Sequence, residues 1–227
     1  MKYCSPLWNS IVLNPRKPSQ DDFMITRETI YYEDGGEQHT ETTLRASLEA
    51  AKELGIKTIL VASTTGETGV KAAEMYKGSG VQLIVVGHQM GFPVAKVQQF
   101  KPENWERIAE LGGVVNLGTD VVTNSIRQRQ RLGHSPMSII TQTLIMAKIK
   151  VNVEIVAKAC DTGQVLPGDK VISVAGSHKG ADTSVVFIAN DSPNILDIKP
   201  QMFICYPLSR EKSDAEYMAK RQASQNK

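Results

Sequence analysis

Short apolar runs alternate with segments of helical periodicity along most of this 227-residue chain. The runs TILVA and LIVV have the length and the β-branched content of buried strands, and each is followed by a stretch long enough for a helix. Strands that alternate with helices of roughly 10–15 residues predict parallel strands joined by crossover helices. The pattern therefore predicts an α/β fold, a three-layer α/β/α sandwich around a mostly parallel sheet.

The last three strand candidates change this pattern. The runs DKVISVAG, TSVVFIAN and QMFICYPL follow one another with no helix between them. Strands joined by short connections pair antiparallel, whereas parallel strands need a long crossover. We therefore expect an antiparallel edge strand in the mostly parallel sheet.

Several segments carry helix periodicity and end signals. TETTLRASLEAAKELG has a candidate N-cap at Thr40 and a stop at Gly55, and KPENWERIAELGG has Pro102 near its first turn and a stop at Gly112. GETGVKAAEMYKGS is a further helix between the first two strands. The long helical region SPMSIITQTLIMAKIKVNVEIVAKACDTG is expected to be broken within its length.

The domain organisation predicted from these elements is simple. We expect residues 1–208 to form a single α/β domain, with residues 1–37 as an N-terminal extension packed on it and SIVLN as its strand candidate. Residues 209–227 form a charged tail, which is expected to be a solvated helix or a frayed end.

Composition excludes several classes of function. A net charge of +2 is too small to indicate nucleic-acid binding, and no basic cluster lies beside aromatic residues. The three cysteines form no CxxC pair, so neither a disulfide framework nor a metal site is predicted. The opening residues do not resemble a signal peptide, and the apolar runs are too short to cross a bilayer. We expect a cytoplasmic protein without a membrane partner.

The stretch LVASTTGETGVKAAEMY places three consecutive hydroxyl residues, Ser63, Thr64 and Thr65, between a strand and a helix. One interpretation is a helix cap with a tight turn. The other is an anion site, because free N–H groups and the helix dipole point at such a loop and Gly66 allows close backbone approach. The P-loop pattern GxxxxGK[ST] is absent. Three hydroxyls exceed the need of one cap, which favours a phosphate-binding loop. Residues 63–68 are called the hydroxyl loop below.

A second candidate is VAGSHKGADTSVV, which connects two predicted strands. It is either a hairpin connection or a backbone-lined ligand wall to which His178 or Lys179 adds charge. The absence of a GxGxxG pattern argues against a Rossmann dinucleotide site.

His88 ends a predicted strand, where a histidine has either a structural role or a ligand contact. In parallel sheets, ligands bind beyond the carboxyl ends of the strands. The loops that start at Ser63, His88, Gly118 and Gly176 are therefore expected to share one rim.

Three segments together resemble a known family. They are HTETTLRASLEAAKELGIKTILVASTTGETGVKAAE, VVGHQMGF and VNVEIVAKACDTGQVLPGDKVISVAGSHKGADTSVVFIA. In this order they are similar to the stand-alone proteins built on the pyruvate kinase C-terminal α/β domain, and the resemblance covers roughly residues 38–207.

The resemblance implies a phosphorylated small-molecule ligand, with flavin mononucleotide (FMN) as the suspected cofactor, and a homo-oligomer. The residues that it implies for the phosphate cradle are Ser63, Thr64, Thr65, Gly66 and Thr68. The residues that it implies for the wall near the flavin ring or its chain are Gly176, Ser177, Gly180, Ala181, Asp182 and Thr183. His88 completes the expected cofactor site.

No catalytic residue is assigned by the resemblance. The chemistry of pyruvate kinase belongs to a separate barrel domain, which 227 residues are too few to include, so no pyruvate kinase activity is expected. The expected function is ligand binding. The alternatives are a flavin-dependent oxidoreductase, with His88, His178 and Lys179 near the ring, and a non-catalytic oligomerising module.

Two departures from the family pattern concern the pocket. His39 stands where Asn is expected before the Thr-Glu pair, and MAKIK stands where a Gly-rich stretch is expected. The second change predicts either that the two late helices fuse or that a pocket wall changes.

Overall fold

The computed structural model describes residues 26–125 and 133–225, and its strands form one seven-stranded sheet. The strands are β1 (Ile30–Asp34), β2 (Thr58–Ala62), β3 (Gln82–Val86), β4 (Val114–Asn116), β5 (Lys170–Ala175), β6 (Thr183–Ile188) and β7 (Lys199–Ser209). The helices are α1 (Thr40–Leu54), α2 (Glu67–Tyr76), α3 (Pro102–Glu110), α4 (Pro136–Met146), α5 (Lys150–Asp161) and α6 (Glu211–Gln225). Residues 121–125 are also helical.

The sheet has the order β1-β7-β6-β5-β2-β3-β4. The pairs β1–β7, β2–β5, β2–β3 and β3–β4 are parallel, which confirms the mostly parallel α/β class. The predicted antiparallel strand is β6, which runs opposite to both β5 and β7. β6 is the third strand from the edge of the sheet, because β7 pairs with β6 and β1 pairs with the other side of β7.

Two hydrophobic clusters cover the two faces of the sheet and make it the middle of three layers. On β2, Ile59 and Val61 join the cluster that includes Leu44 of α1 and Ile108 of α3, whereas Leu60 joins the cluster around α5. Successive strand residues point to opposite faces, so a continuous apolar run can supply both clusters.

The helix ends follow the sequence signals with one exception. Gly55, at φ +65°, ends α1 as predicted. The N-cap of α1 is His39, however, and Thr40 is the first helical residue; its hydroxyl donates to the backbone oxygen of Glu37. The long helical region is broken at Lys148, at φ +54°, so α4 and α5 are not fused.

Periodicity did not reveal a strand in the N-terminal segment, whereas a helix was one of the two forms expected of the charged tail. β1 was missed, because the run IYYED has one buried residue, Tyr32, and ends in acidic residues. The candidate SIVLN lies outside the described residues. The charged tail forms α6, which continues from β7 after one residue. Among the described helices, none combines the length and the apolar content needed to span a bilayer.

Candidate functional site

A large cleft lies at the carboxyl ends of the central parallel strands, with a volume of about 1470 Å³. Most ligand pockets have volumes of roughly 300–1,000 Å³, so this cleft has room for a nucleotide-sized molecule. As predicted, the loops after β2, β3 and β5 meet there, since residues such as Ser63, His88 and Gly176 line it. The segment 31–40 and α6 form its other borders.

The hydroxyl loop connects β2 to the N-terminus of α2 across one edge of this cleft. The N-cap of α2 is Gly66, at φ +93°, and no side chain caps the helix. A side chain at Gly66 would collide with Phe100 and Asn104, so this position needs glycine for both reasons. The hydroxyls therefore do not serve as a helix cap, which was one of the two interpretations of the sequence.

The hydroxyl groups of this loop are free for other partners. Ser63, Thr64, Thr65 and Thr68 all line the cleft, and none of their side chains has a hydrogen-bond partner among the described residues. Ser63 and Thr68 are 7% and 9% exposed, so their hydroxyls are positioned by packing around them. Buried hydroxyls are normally bonded to protein or to water. The four hydroxyls are therefore available to a ligand or to water in the cleft.

Cations lie beside the loop. Lys71, one turn after Thr68 on α2, lines the cleft and has no ion-pair partner among the described residues. Lys101 instead pairs with Glu67 at 3.0 Å, and its hydrogen bond is the main cause of the lowered pKa of Glu67. Glu67 is thereby compensated at the start of α2 mainly by Lys101, and Lys71 has only a weaker electrostatic effect on this carboxylate.

The loop after β5 is held in place by Asp182. Its Oδ2 atom accepts hydrogen bonds of 2.9 Å from the backbone N–H groups of Gly36 and Ser177. Gly180, at φ +75°, packs against the segment 37–40, where an added Cβ would lie 2.6 Å from Glu37 Cα. The backbone of this loop and that of the N-terminal segment therefore form one continuous wall.

The structure divides the predicted wall residues into two groups. Gly176, Ser177 and Gly180 line the cleft, together with His178 and Lys179. Ala181, Asp182 and Thr183 are no more than 1% exposed and lie behind the lining, where they support the loop. Gly66 likewise lies outside the lining. Gly118 is absent from the lining too, and the loop after β4 contributes Asp120 instead.

The floor of the cleft contains a buried ionic network. Lys158 of α5 donates hydrogen bonds of 2.6 Å to Asp120 Oδ1 and to the backbone oxygen of Gly87. Asp120 Oδ2 lies 2.8 Å from Nδ1 of His88. The side chains of Asp120 and Lys158 are 1% and 2% exposed, whereas that of His88 is 27% exposed. Burial raises the pKa of Asp120, but the hydrogen bonds from His88 and Lys158 outweigh burial and leave this pKa below its ordinary value.

A second buried carboxylate, that of Glu154, lies one turn before Lys158 on α5. Glu154 accepts hydrogen bonds from the backbone N–H and the hydroxyl of Thr123 and from Lys150. The Lys150 ammonium also contacts the Thr123 hydroxyl. These three residues line the cleft as well and close its floor on the α5 side.

This floor was not predicted from the sequence, although a signal was present. Lys150, Glu154 and Lys158 are spaced by four residues in the mostly apolar segment KVNVEIVAKAC. Residues at i, i+4 and i+8 share one face of a helix. A charged stripe on a buried helix indicates a polar cavity beside it. Asp120 had no such signal, since its partners come from the loop after β3 and from α5.

The C-terminal helix α6 borders the cleft through ring and ion contacts. His178 stacks on Tyr217 with ring centroids 4.0 Å apart, and its Nε2 atom lies 2.6 Å from Asp214. Asp34 Oδ2 accepts a hydrogen bond from the backbone N–H of Ser213. Tail residues that were expected to be solvated thus contribute directly to the cleft.

Comparison with known proteins gives one family and a group of solved structures. Residues 41–188 match the family described as pyruvate kinase, alpha/beta domain. A pyruvate kinase from Cryptosporidium parvum is 17% identical over 66% of this chain, with a TM-score of 0.35. The pyruvate kinase of the same organism in complex with ADP is 18% identical over 71% of this chain, also with a TM-score of 0.35. The chain spans 23% of the length of each of these enzymes.

Proposed function

The chain belongs to the pyruvate kinase α/β-domain family, and we propose that it is a small-molecule binding protein that holds the phosphate of its ligand in the hydroxyl loop. The observation that carries this proposal is the set of four cleft-lining hydroxyls without partners at the N-terminus of a ten-residue helix. Backbone N–H groups at a helix start and side-chain hydroxyls are both donors that a phosphate accepts.

Charge supports the same assignment. A phosphate monoester carries close to two negative charges near neutral pH, and the unpaired ammonium of Lys71 lies on the same helix as the loop. The helix dipole adds positive potential at this end of α2. A dianion bound at the loop therefore has both directional donors and a counter-charge.

For the remainder of the ligand we propose FMN. Among the described residues, the cleft lining contains aromatic rings that a flat ring system can contact. These rings stack on one another in pairs, with centroids 3.9–4.0 Å apart. These pairs are His88 with Phe92, His178 with Tyr217, and Tyr32 with His39. The volume of the cleft is large enough for both a phosphate and a ring system. When bound, FMN supplies one- and two-electron redox chemistry, and the chain's residues bind and orient it.

Two measurements test the proposal. The first is an absorbance scan of the freshly purified protein from roughly 300 to 550 nm, with mass spectrometry of the molecules released by heating; flavin bands and a released mass of FMN are expected. The second is calorimetric titration with FMN and, separately, with inorganic phosphate. Absence of binding by both ligands would refute the phosphate site, whereas binding of phosphate without FMN would refute only the flavin.

A double variant locates the site. Thr65→Val with Thr68→Val keeps the shape of both side chains and removes two hydroxyls, so we expect the affinity for phosphate to fall at least tenfold, about 1.4 kcal/mol. Thr58→Val is the matched control, because Thr58 begins β2 at the opposite end of the strand. Equal affinities in all three proteins would mean that the loop holds no phosphate.

We also propose that the protein is a homo-oligomer. The family resemblance is the sole basis of this part of the proposal. Light scattering of the purified protein measures its mass directly. A monomeric mass at concentrations of tens of micromolar would remove this part without affecting the ligand site.

A further inference from the structure

The three histidines among the described lining residues differ in how they use the Nε2 ring nitrogen. His39 Nε2 lies 3.0 Å from a backbone carbonyl oxygen, and His178 Nε2 lies 2.6 Å from Asp214. His88 uses Nδ1 instead, 2.8 Å from Asp120. Its Nε2 atom has no hydrogen-bond partner among the described residues. His88 is thus the cleft histidine whose outer nitrogen is available to a ligand.

The contact with Asp120 fixes the tautomer of His88. Asp120 is an ionised carboxylate, because Lys158 neutralises it at 2.6 Å and the net effect of its partners is a lowered pKa. A carboxylate can only accept a hydrogen bond, so the neutral imidazole carries its proton on Nδ1. The lone pair is then on Nε2. An oriented imidazole with a free Nε2 is the arrangement of a general base.

The base and the phosphate site belong to neighbouring strands. Ala62 and Val86 are register partners in β2 and β3, and the hydroxyl loop and His88 follow these residues at the same rim. Phe92 stacks on the His88 ring at 4.0 Å and limits its rotation. The side chain of His88 remains 27% exposed, so its proton can exchange with solvent.

We propose that His88 is an acid–base residue for a phosphate-bearing carbonyl compound, and that Asp120 and Lys158 are positioning residues. This inference rests on the proposed function of the hydroxyl loop as the phosphate anchor, and a sugar phosphate would occupy the loop in place of FMN, since each presents a phosphate monoester. A single base beside an anchored phosphate can remove and return a proton without a second reactant when the acidic carbon is adjacent to a carbonyl. Sugar phosphates with an open-chain carbonyl are the substrate class with this chemistry.

The step is a reversible proton transfer. The Nε2 lone pair takes the proton of the carbon next to the carbonyl, so that the C–H bond breaks and an N–H bond forms. The electron pair moves to the carbonyl oxygen and gives an enediolate, and His88 becomes an imidazolium paired with Asp120. Exchange of the imidazolium proton with solvent, followed by return of a proton to carbon, restores the compound and the enzyme.

Dihydroxyacetone phosphate in D₂O, followed by ¹H NMR, is the probe. We expect the protein to accelerate loss of the carbon-bound proton signal over the rate in buffer, and His88→Gln to lower the acceleration by roughly 10²–10⁴-fold. His134→Gln is the matched control and leaves the rate unchanged, because His134 is an exposed histidine beside α4, outside the cleft. Dihydroxyacetone without phosphate is expected to exchange at the background rate.

Positioning and structural roles are separated by chemical rescue. Added imidazole is expected to restore exchange in His88→Gly, because the small base enters the vacated space. Asp120→Asn is expected to lower kcat with little change in KM, and imidazole does not rescue it. If His88→Gly binds phosphate like the wild type but is not rescued, His88 is structural and the inference fails.

The outcomes distinguish this inference from the proposed function. Calorimetric binding of inorganic phosphate without accelerated exchange by the wild type would overturn the role of His88 and leave the phosphate site intact. Failure of phosphate to bind would overturn both. Equal exchange of dihydroxyacetone and its phosphate would overturn the assigned substrate class.

Discussion

Replacing Lys158 with methionine removes the ammonium that neutralises Asp120 while it nearly conserves the length and volume of the side chain. Both residues are almost completely buried, at 2% and 1% side-chain exposure, and the ion pair is 2.6 Å long. In Lys158→Met, the Asp120 carboxylate keeps its hydrogen bond to His88 as its one side-chain partner among the described residues, and the backbone oxygen of Gly87 loses a donor. The variant therefore leaves a buried carboxylate without its main counter-charge.

Breaking a buried ion pair by removal of one partner typically costs about 3–5 kcal/mol, since the desolvation of the remaining charge is no longer compensated. We expect Lys158→Met to lose free energy of unfolding in this range. With a urea m-value of about 3 kcal/mol/M, suitable for a chain of this size, the midpoint of unfolding falls by roughly 1–1.7 M. The assay is urea denaturation followed by circular dichroism, with the m-value compared between proteins.

Two further variants make the result interpretable. Arg45→Met removes an exposed ion pair with Glu41 on α1 and is expected to cost less than about 0.5 kcal/mol. Lys158→Met combined with Asp120→Leu removes both buried charges and is expected to recover most of the lost stability. The reasoning is refuted if Lys158→Met costs less than about 1 kcal/mol. It is also refuted if the stability lost by the double variant equals the sum of the losses of Lys158→Met and Asp120→Leu.

The remaining predictions concern pH, backbone and ligand charge. The pKa of Asp120 is lower in the folded than in the unfolded protein, so Asp120 stabilises the fold at pH values above its unfolded pKa of about 3.9. This contribution is lost as the pH falls through the folded-state pKa. The acid unfolding curve of Asp120→Asn should therefore lack this loss of stability. Gly180→Ala should cost about 2 kcal/mol or more in urea unfolding, because φ is +75° and its Cβ meets Glu37, whereas Gly163→Ala, with φ +71° and open surroundings, should cost about 1 kcal/mol. Lys71→Met should weaken calorimetric phosphate binding and reduce its salt dependence, and an unchanged salt dependence would contradict the role assigned to this ammonium.

Local sequence patterns were sufficient to predict the parts of the structure that depend on residues close together in the chain. Strand runs such as TILVA, helix ends such as Gly55 and the position of the hydroxyl loop between β2 and α2 follow from periodicity and end signals. The common rim also followed, because the carboxyl ends of parallel strands lie on one edge of a sheet.

The sequence by itself determined the order of strands and helices after β1, the mostly parallel α/β class, and the presence of hydroxyl groups at a helix start. Only the tertiary structure decided that β1 pairs with β7, that Asp182 supports the wall from behind, and that His88 lies against Asp120. His88 and Asp120 are 32 residues apart in the chain, and Asp120 and Lys158 are 38 apart. Local periodicity describes the face of one element, whereas contact between residues so far apart depends on strand order, register and the rotation of α5 over the sheet.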